Sequence, residues 1–237
     1  MNKVLKSLLT WLVLPAVIAL LVYVIVNSIM QPVRFNKEKD FRQSVAVQQM
    51  KDIRTLQVAY KGETGKFAPT IDSLKQFYNT GDMSVIMQIG SADDSVAVAH
   101  TDVVKKSPAF KNLKGNDLNQ ALYQAYLAGD NNLVFTVANK IPVRDTLFND
   151  RTDFNVSTLD EIPFSNGDKV IMEEIVKTVS GVPVPLFEAK MPYKSLLKGL
   201  DNQLRINLDA EQRDMNRYEG LQVGSITAPN NNAGNWE

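Results

Sequence analysis

Apolar side chains run almost unbroken from Leu8 to Met30, and no charged residue stands between Lys6 and Arg34. A bilayer core about 30 Å thick takes roughly 20 helical residues at ~1.5 Å each. The stretch therefore predicts a transmembrane helix with room for tilt. Its far end, Asn27-Ser28-Ile29-Met30-Gln31-Pro32, carries no small-x-small cleavage pattern. That favours an uncleaved anchor over a signal peptide.

Past Pro32 the pattern becomes amphipathic and predicts that a helix restarts. Ala46, Met50, Ile53, Leu56 or Gln57, and Tyr60 recur at three- and four-residue spacing, widened by Val45, Val47 and Val58. One side of this helix is expected to pack on a core, and Gly62 and Gly65 end it. Pro69-Thr70 starts a short helix with Asp72, Leu74 and Phe77, closed by Gly81. Alternation then predicts strands at Met83–Ile89 and Ser95–His100, joined by a Gly90–Asp94 turn. Asp102 to Asn116 reads as a loop. Leu118, Ala121, Leu122, Ala125 and Tyr126 mark a helix stopped by Gly129.

A strand, an Asn139-Lys140 turn and a second strand are expected next, then a short strand at Leu159–Phe164. A further hairpin turns at Ser180-Gly181. Its second strand carries Pro183 and Pro185, which suits an edge. Leu196, Leu197, Leu200 and Leu204 mark a last helix, and GLQVGSI a terminal strand. The expected architecture is α+β, with an N-terminal transmembrane helix running into an amphipathic helix packed on an antiparallel sheet built from hairpins. Residues 1–33 form the amino-terminal tip and anchor. Residues 34–226 form the body, with its helix and return over 34–80. Residues 227–237 form a flexible polar tail in which only Trp236 is expected to dock.

Charge and composition narrow the functions open to such a chain. Its 26 basic and 26 acidic residues cancel, which argues against a non-specific nucleic-acid binder. It contains no cysteine, so disulfides, thiol catalysis and cysteine-ligated metals are excluded. His100 is the only histidine and is expected to be structural. Asp93-Asp94 reads as a turn rather than a calcium loop. Asp160-Glu161 and Glu173-Glu174 are adjacent pairs that face opposite ways on a strand, so neither makes a dyad. Glu188 is expected on an exposed sheet face. Nothing singles out a Ser–Lys pair. No residue is nominated as catalytic, cofactor-binding or metal-ligating, and no cofactor is expected. The rings available to a glycan or peptide are Phe67, Phe77, Tyr78, Phe154, Phe164 and Trp236, although core packing competes for them.

Ile53-Arg54, Tyr60, Gly65, Phe67, Pro69 and Leu74 occupy places that resemble those of type IV pilins and type II secretion pseudopilins. In that family a membrane helix continues into an amphipathic helix, glycine turns the chain, and an aromatic and a proline anchor the return. The resemblance covers about the first third of the chain. At the amino end Lys6-Ser7-Leu8-Leu9-Thr10 has neither the family's cleavage glycine nor its glutamate, so prepilin processing is not expected. The resemblance implies a non-enzymatic structural or interaction protein of the bacterial envelope. It would be single-pass in the inner membrane, with a cytoplasmic amino terminus and an extracytoplasmic body. Its partners would be the lipid bilayer through Leu8–Met30 and another protein or a copy of itself, with no nucleic acid. The alternative is an anchored ligand-binding sensor or carrier.

Overall fold

The computed structural model describes residues 9–237, with side chains from Trp11 onward. Lys3, Lys6, Ser7 and Leu8, with the expected cytoplasmic tip, lie outside the described residues. A π-helical turn at Leu9–Val13 leads into α1, Leu14–Thr64. α1 is continuous: Pro32 lies inside it, where a restart was expected. Every side chain from Trp11 to Met30 is exposed. Among the described residues this is the one helix long and apolar enough to cross a membrane, which is compatible with a single-pass membrane protein.

Further along α1, Ala46, Met50, Ile53, Leu56 and Gln57 are buried, as the spacing predicts. Val45 and Val58 are exposed instead. They sit a residue away from Ala46 and Gln57, which turns them off the buried stripe. Gly65 ends the helix in the left-handed conformation, its N–H donating to the Lys61 carbonyl (2.9 Å).

The chain divides into two compact units. The first comprises residues up to Gln57, Phe67–Ile71 and Ser157–Glu237. It holds an antiparallel sheet of β3 (Ile171–Val179), β4 (Val182–Pro192) and β5 (Gly220–Gly224), with β4 central, followed by the short α6 (Tyr193–Leu196) and α7 (Asn202–Asp214). The β3–β4 hairpin turns at Ser180-Gly181, both at positive φ, as expected. Pro183 and Pro185 lie on the part of β4 that has a neighbour only in β3, where a missing donor costs no ladder bond on the open side. Phe67 packs on Phe187 with centroids 4.7 Å apart. Gln57 is fully buried. Its amide donates to the Ala68 carbonyl (3.0 Å), and its oxygen accepts from Ala68 N–H (2.8 Å).

The expected single last helix is two, because Gly199 turns the chain at φ 84. Leu159–Phe164 contributes only an isolated bridge, Glu161 to Lys169, and no strand. The tail is tied down rather than loose. Gly234 bridges Val223, Asn235 N–H donates to the Gln222 carbonyl (2.9 Å), and Glu237 pairs with Arg54 (2.6 Å). Gly224, at φ 73, lets β5 approach this closely, since a Cβ there would lie 2.3 Å from the Phe187 carbonyl oxygen. Gly224→Ala is expected to cost about 2 kcal/mol or more in strain and displacement. It should appear as a melting temperature lowered by roughly 5 °C; an unchanged melt would mean the β4–β5 ladder gives way freely.

The second unit comprises Val58–Lys66 and Asp72–Val156. It contains most of α2 (Ile71–Thr80), then β1 (Asp82–Ile89), α3 (Ser95–Lys106), α4 (Gly115–Leu127), β2 (Phe135–Pro142) and a turn of helix α5 (Val143–Thr146). Leu122, Leu133, Phe135 and Val137 form its core, with Met87, Ile89 and Val104 against them. Two expected hairpins are absent. β1 pairs instead with the distant β2, from Asp82–Pro142 to Ile89–Phe135. Asn139 and Lys140 lie inside β2 and face Val85 and Ser84. Ser95–His100 is helical, and the helix runs on into the expected loop to Lys106. The Asp94 carboxylate caps it, accepting from Val96 N–H (3.0 Å) and Ala97 N–H (3.1 Å). Ala97, Thr101 and Val104 then line one helical face, of which Ala97 and Thr101 are buried.

Candidate functional site

In the first unit, the chain after Pro192 lines a basic cleft. β4 delivers Lys194 onto α6. Gly199 reverses the chain, and the Asp201 carboxylate starts α7 by accepting from Leu204 N–H (2.9 Å). Lys194 and Arg205 line two adjoining hollows, of about 550 and about 600 Å³. Lys198 lines the first, and Arg213 and Arg217 the second. Together the walls carry five basic residues against three acidic ones, Asp168, Asp209 and Glu219. A chain of zero net charge thus carries a local positive excess.

The acids are already engaged. The Ser195 hydroxyl, and after it Lys198, hold the Asp168 carboxyl below the usual carboxylate range. Lys198 Nζ donates to Asp168 Oδ1 (3.2 Å) and to the Ser165 carbonyl (2.8 Å). Glu219 pairs with Arg213 (2.8 Å). Asp209 is buried beside Arg205, which also donates to Asn202 Oδ1 (2.9 Å). Lys194 and Arg217 are exposed, and their side chains make no hydrogen bond or ion pair with the described residues. Lys194 still acts on the Asp168 carboxyl through space and lowers it further. Ser195 and Lys198 do meet at one carboxylate.

Burial pushes the Asp209 carboxyl above its ordinary range, against the pull of Arg205. Its Oδ1 is buried without a hydrogen bond. A raised folded-state pKa means that the native state holds the extra proton between the unfolded and folded values, so this group favours folding less as pH rises through that window. Asp209→Asn removes the titration. Between pH 7 and pH 4 the stability difference should shift toward wild type as acid relieves the buried charge. Thermal melts of both full chains across that range check this, and a constant difference would mean that Asp209 titrates as an ordinary carboxylate.

The residues weighed from sequence lie elsewhere. His100 stands on α3, with Nε2 2.9 Å from an Asp130 carboxylate oxygen. Glu188 is buried, not on an exposed face. It pairs with Lys190 and accepts from Gln222 Nε2 (2.7 Å). Asp160 and Glu161 share Lys169. Glu174 Oε2 is buried without a hydrogen bond. Among the described residues no group of three histidines or carboxylates is placed to hold a metal ion. The aromatic candidates divide between the units and pack on other rings: Phe77 on Tyr60 (5.3 Å), Tyr78 on Phe154 (5.1 Å), Phe164 on Phe41 (5.8 Å).

Sequence reading passed over the cleft because it followed the leucines. Lys190, Lys194 and Lys198 recur every four residues, and Arg205, Arg213 and Arg217 follow. That local excess was the available signal. No protein-family model, no curated protein and no solved structure matches the chain.

Proposed function

We propose that the chain is a membrane-anchored, non-enzymatic structural or interaction protein of the cell envelope. Its pilin-like body stands outside the membrane and meets a protein partner or a second copy of itself. The observation that carries this reading is the single helix α1, bare from Trp11 to Met30 and buried at Ala46, Met50, Ile53 and Leu56. A helix of that kind couples a bilayer anchor rigidly to a folded body. The turn at Gly65 and the aromatic contact of Phe67 support the pilin-like part. Gln57 reaches the sulfur of Met172 on β3 (3.2 Å), which supports packing of the amphipathic half on the sheet. Mild cross-linking in native membranes should give a discrete adduct larger than the monomer. Recovery of monomer alone would sink the interaction role.

A second reading, an anchored ligand-binding domain, is favoured by the cleft with its unpaired Lys194 and Arg217.

A further inference from the structure

β5 pairs with β4 on one side, and on the other it is covered by the chain's own residues 233–235. Gly224 N–H donates to the Ala233 carbonyl (3.0 Å), and Asn235 N–H donates to the Gln222 carbonyl (2.9 Å). The Asn235 side chain extends this pairing along the edge. Its oxygen accepts from Gln222 N–H (3.0 Å), and its amide donates to the Gly220 carbonyl (2.8 Å). Glu237 then reaches Arg54 on α1 (2.6 Å). Without this segment the β5 edge would present unpaired donors and acceptors, which take up an extended chain that matches them.

The segment is held shallowly, and the loop that returns it is strained. Of residues 230–237 only Gly234 is buried, so release exposes little apolar surface and falls at the low-stability end of local opening. Asn231 and Asn232 both stand at positive φ, 55 and 57. A non-glycine residue adopts that left-handed backbone at a cost. The two are consecutive, and they turn the chain back onto its own β5 just before Ala233. An extended loop would shed that cost. Every bond between segment and edge would be kept if the edge belonged to another copy.

We infer that two copies of the chain exchange residues 230–237, each segment completing the β5 edge of the other. The inference rests on the reading that the chain meets a second copy of itself, and it names the surface at which they meet. The spacing permits the exchange. Lys177 Nζ donates to the Thr227 carbonyl (2.6 Å) and fixes the start of the loop, so residues 228–232 are the part that swings. With both segments lying between two facing β5 edges at ~4.8 Å per strand, each lies about 10 Å from its own β5. Residues 228–232 span roughly 17 Å when extended.

The chain has no cysteine of its own, which gives a direct test. Arg54→Cys and Glu237→Cys versions of the full chain, carrying different affinity tags, are co-expressed. Their membranes are then treated with a short, membrane-permeant bis-maleimide. Exchange sets the two thiols side by side across copies and should give an adduct that carries both tags. Copies that keep their own segments give none, and that result overturns the inference. Random collision also joins thiols, so the pair is repeated in an Asn231→Gly/Asn232→Gly background, where glycine takes positive φ without penalty. The adduct should fall several-fold there. An unchanged adduct marks collision and overturns the inference as well. Amine cross-linking of the unsubstituted chain reports self-association separately: a dimer there, with no doubly tagged adduct, keeps the interaction role and removes the exchange.

Discussion

Ile53→Asp is expected to abolish cooperative unfolding of the first unit near the wild-type temperature. Ile53 is completely buried in α1. Truncating such a side chain typically costs 2–5 kcal/mol, and an unpaired carboxylate at the same place adds a desolvation penalty. The sum, roughly 4 kcal/mol or more, is a large part of the 5–15 kcal/mol that ordinarily holds a domain together. Val58→Asp is the matched control, five residues on along the same helix. Val58 is half exposed, so a change within roughly 0.5 kcal/mol is expected. Denaturant titration of both full chains in detergent, followed by circular dichroism, separates them. Similar midpoints for the two would mean that the stripe does not face a core.

That contrast shows where the sequence was readable. Ile53 and Val58 both entered the same apolar pattern, and only three-dimensional packing separates them. The buried stripe was legible because Met50, Ile53 and Gln57 keep helical spacing under a single constraint. The β3–β4 hairpin was legible because its register follows locally from the Ser180-Gly181 turn. β1 was placed correctly as a strand, but its partner β2 stands far along the chain, and local alternation carries no information on such a pairing. α3 was misread because its buried face includes Thr101, which counts as polar in a hydropathy pattern. Here its hydroxyl bonds internally, donating to the Ala97 carbonyl (2.7 Å) and accepting from Val134 N–H (2.8 Å).

The cleft was less legible than the fold. Its charges come from two helices, the loop between them and the segments before β3 and β5, and zero net charge conceals them. What makes them a site is which cations remain unpaired. Lys198, Arg205 and Arg213 are committed to Asp168, Asp209 and Glu219, and Lys194 and Arg217 are not. No spacing rule distinguishes the two sets. The Asn-rich tail gave a similar misreading: its composition suggests a free end, yet Asn235 bonds both the Gln222 N–H (3.0 Å) and the Gly220 carbonyl (2.8 Å) through its side chain.

The orientation of the chain is expected to give an all-or-none result, with the body outside and the amino terminus in the cytoplasm. The proposed pilin-like envelope role implies this, and bodies of this length translocate largely regardless of charge. The lysine and arginine count argues the other way: Lys3 and Lys6 precede the apolar stretch, and Arg34, Lys37, Lys39 and Arg42 follow it. The chain has no cysteine, so one introduced thiol reports alone. Ala228 is exposed beyond β5, and Ala228→Cys changes little there. A membrane-impermeant maleimide should label Ala228→Cys in unlysed cells and leave Ser7→Cys unlabelled until lysis. The opposite pattern would put the body in the cytoplasm and end the pilin-like envelope reading.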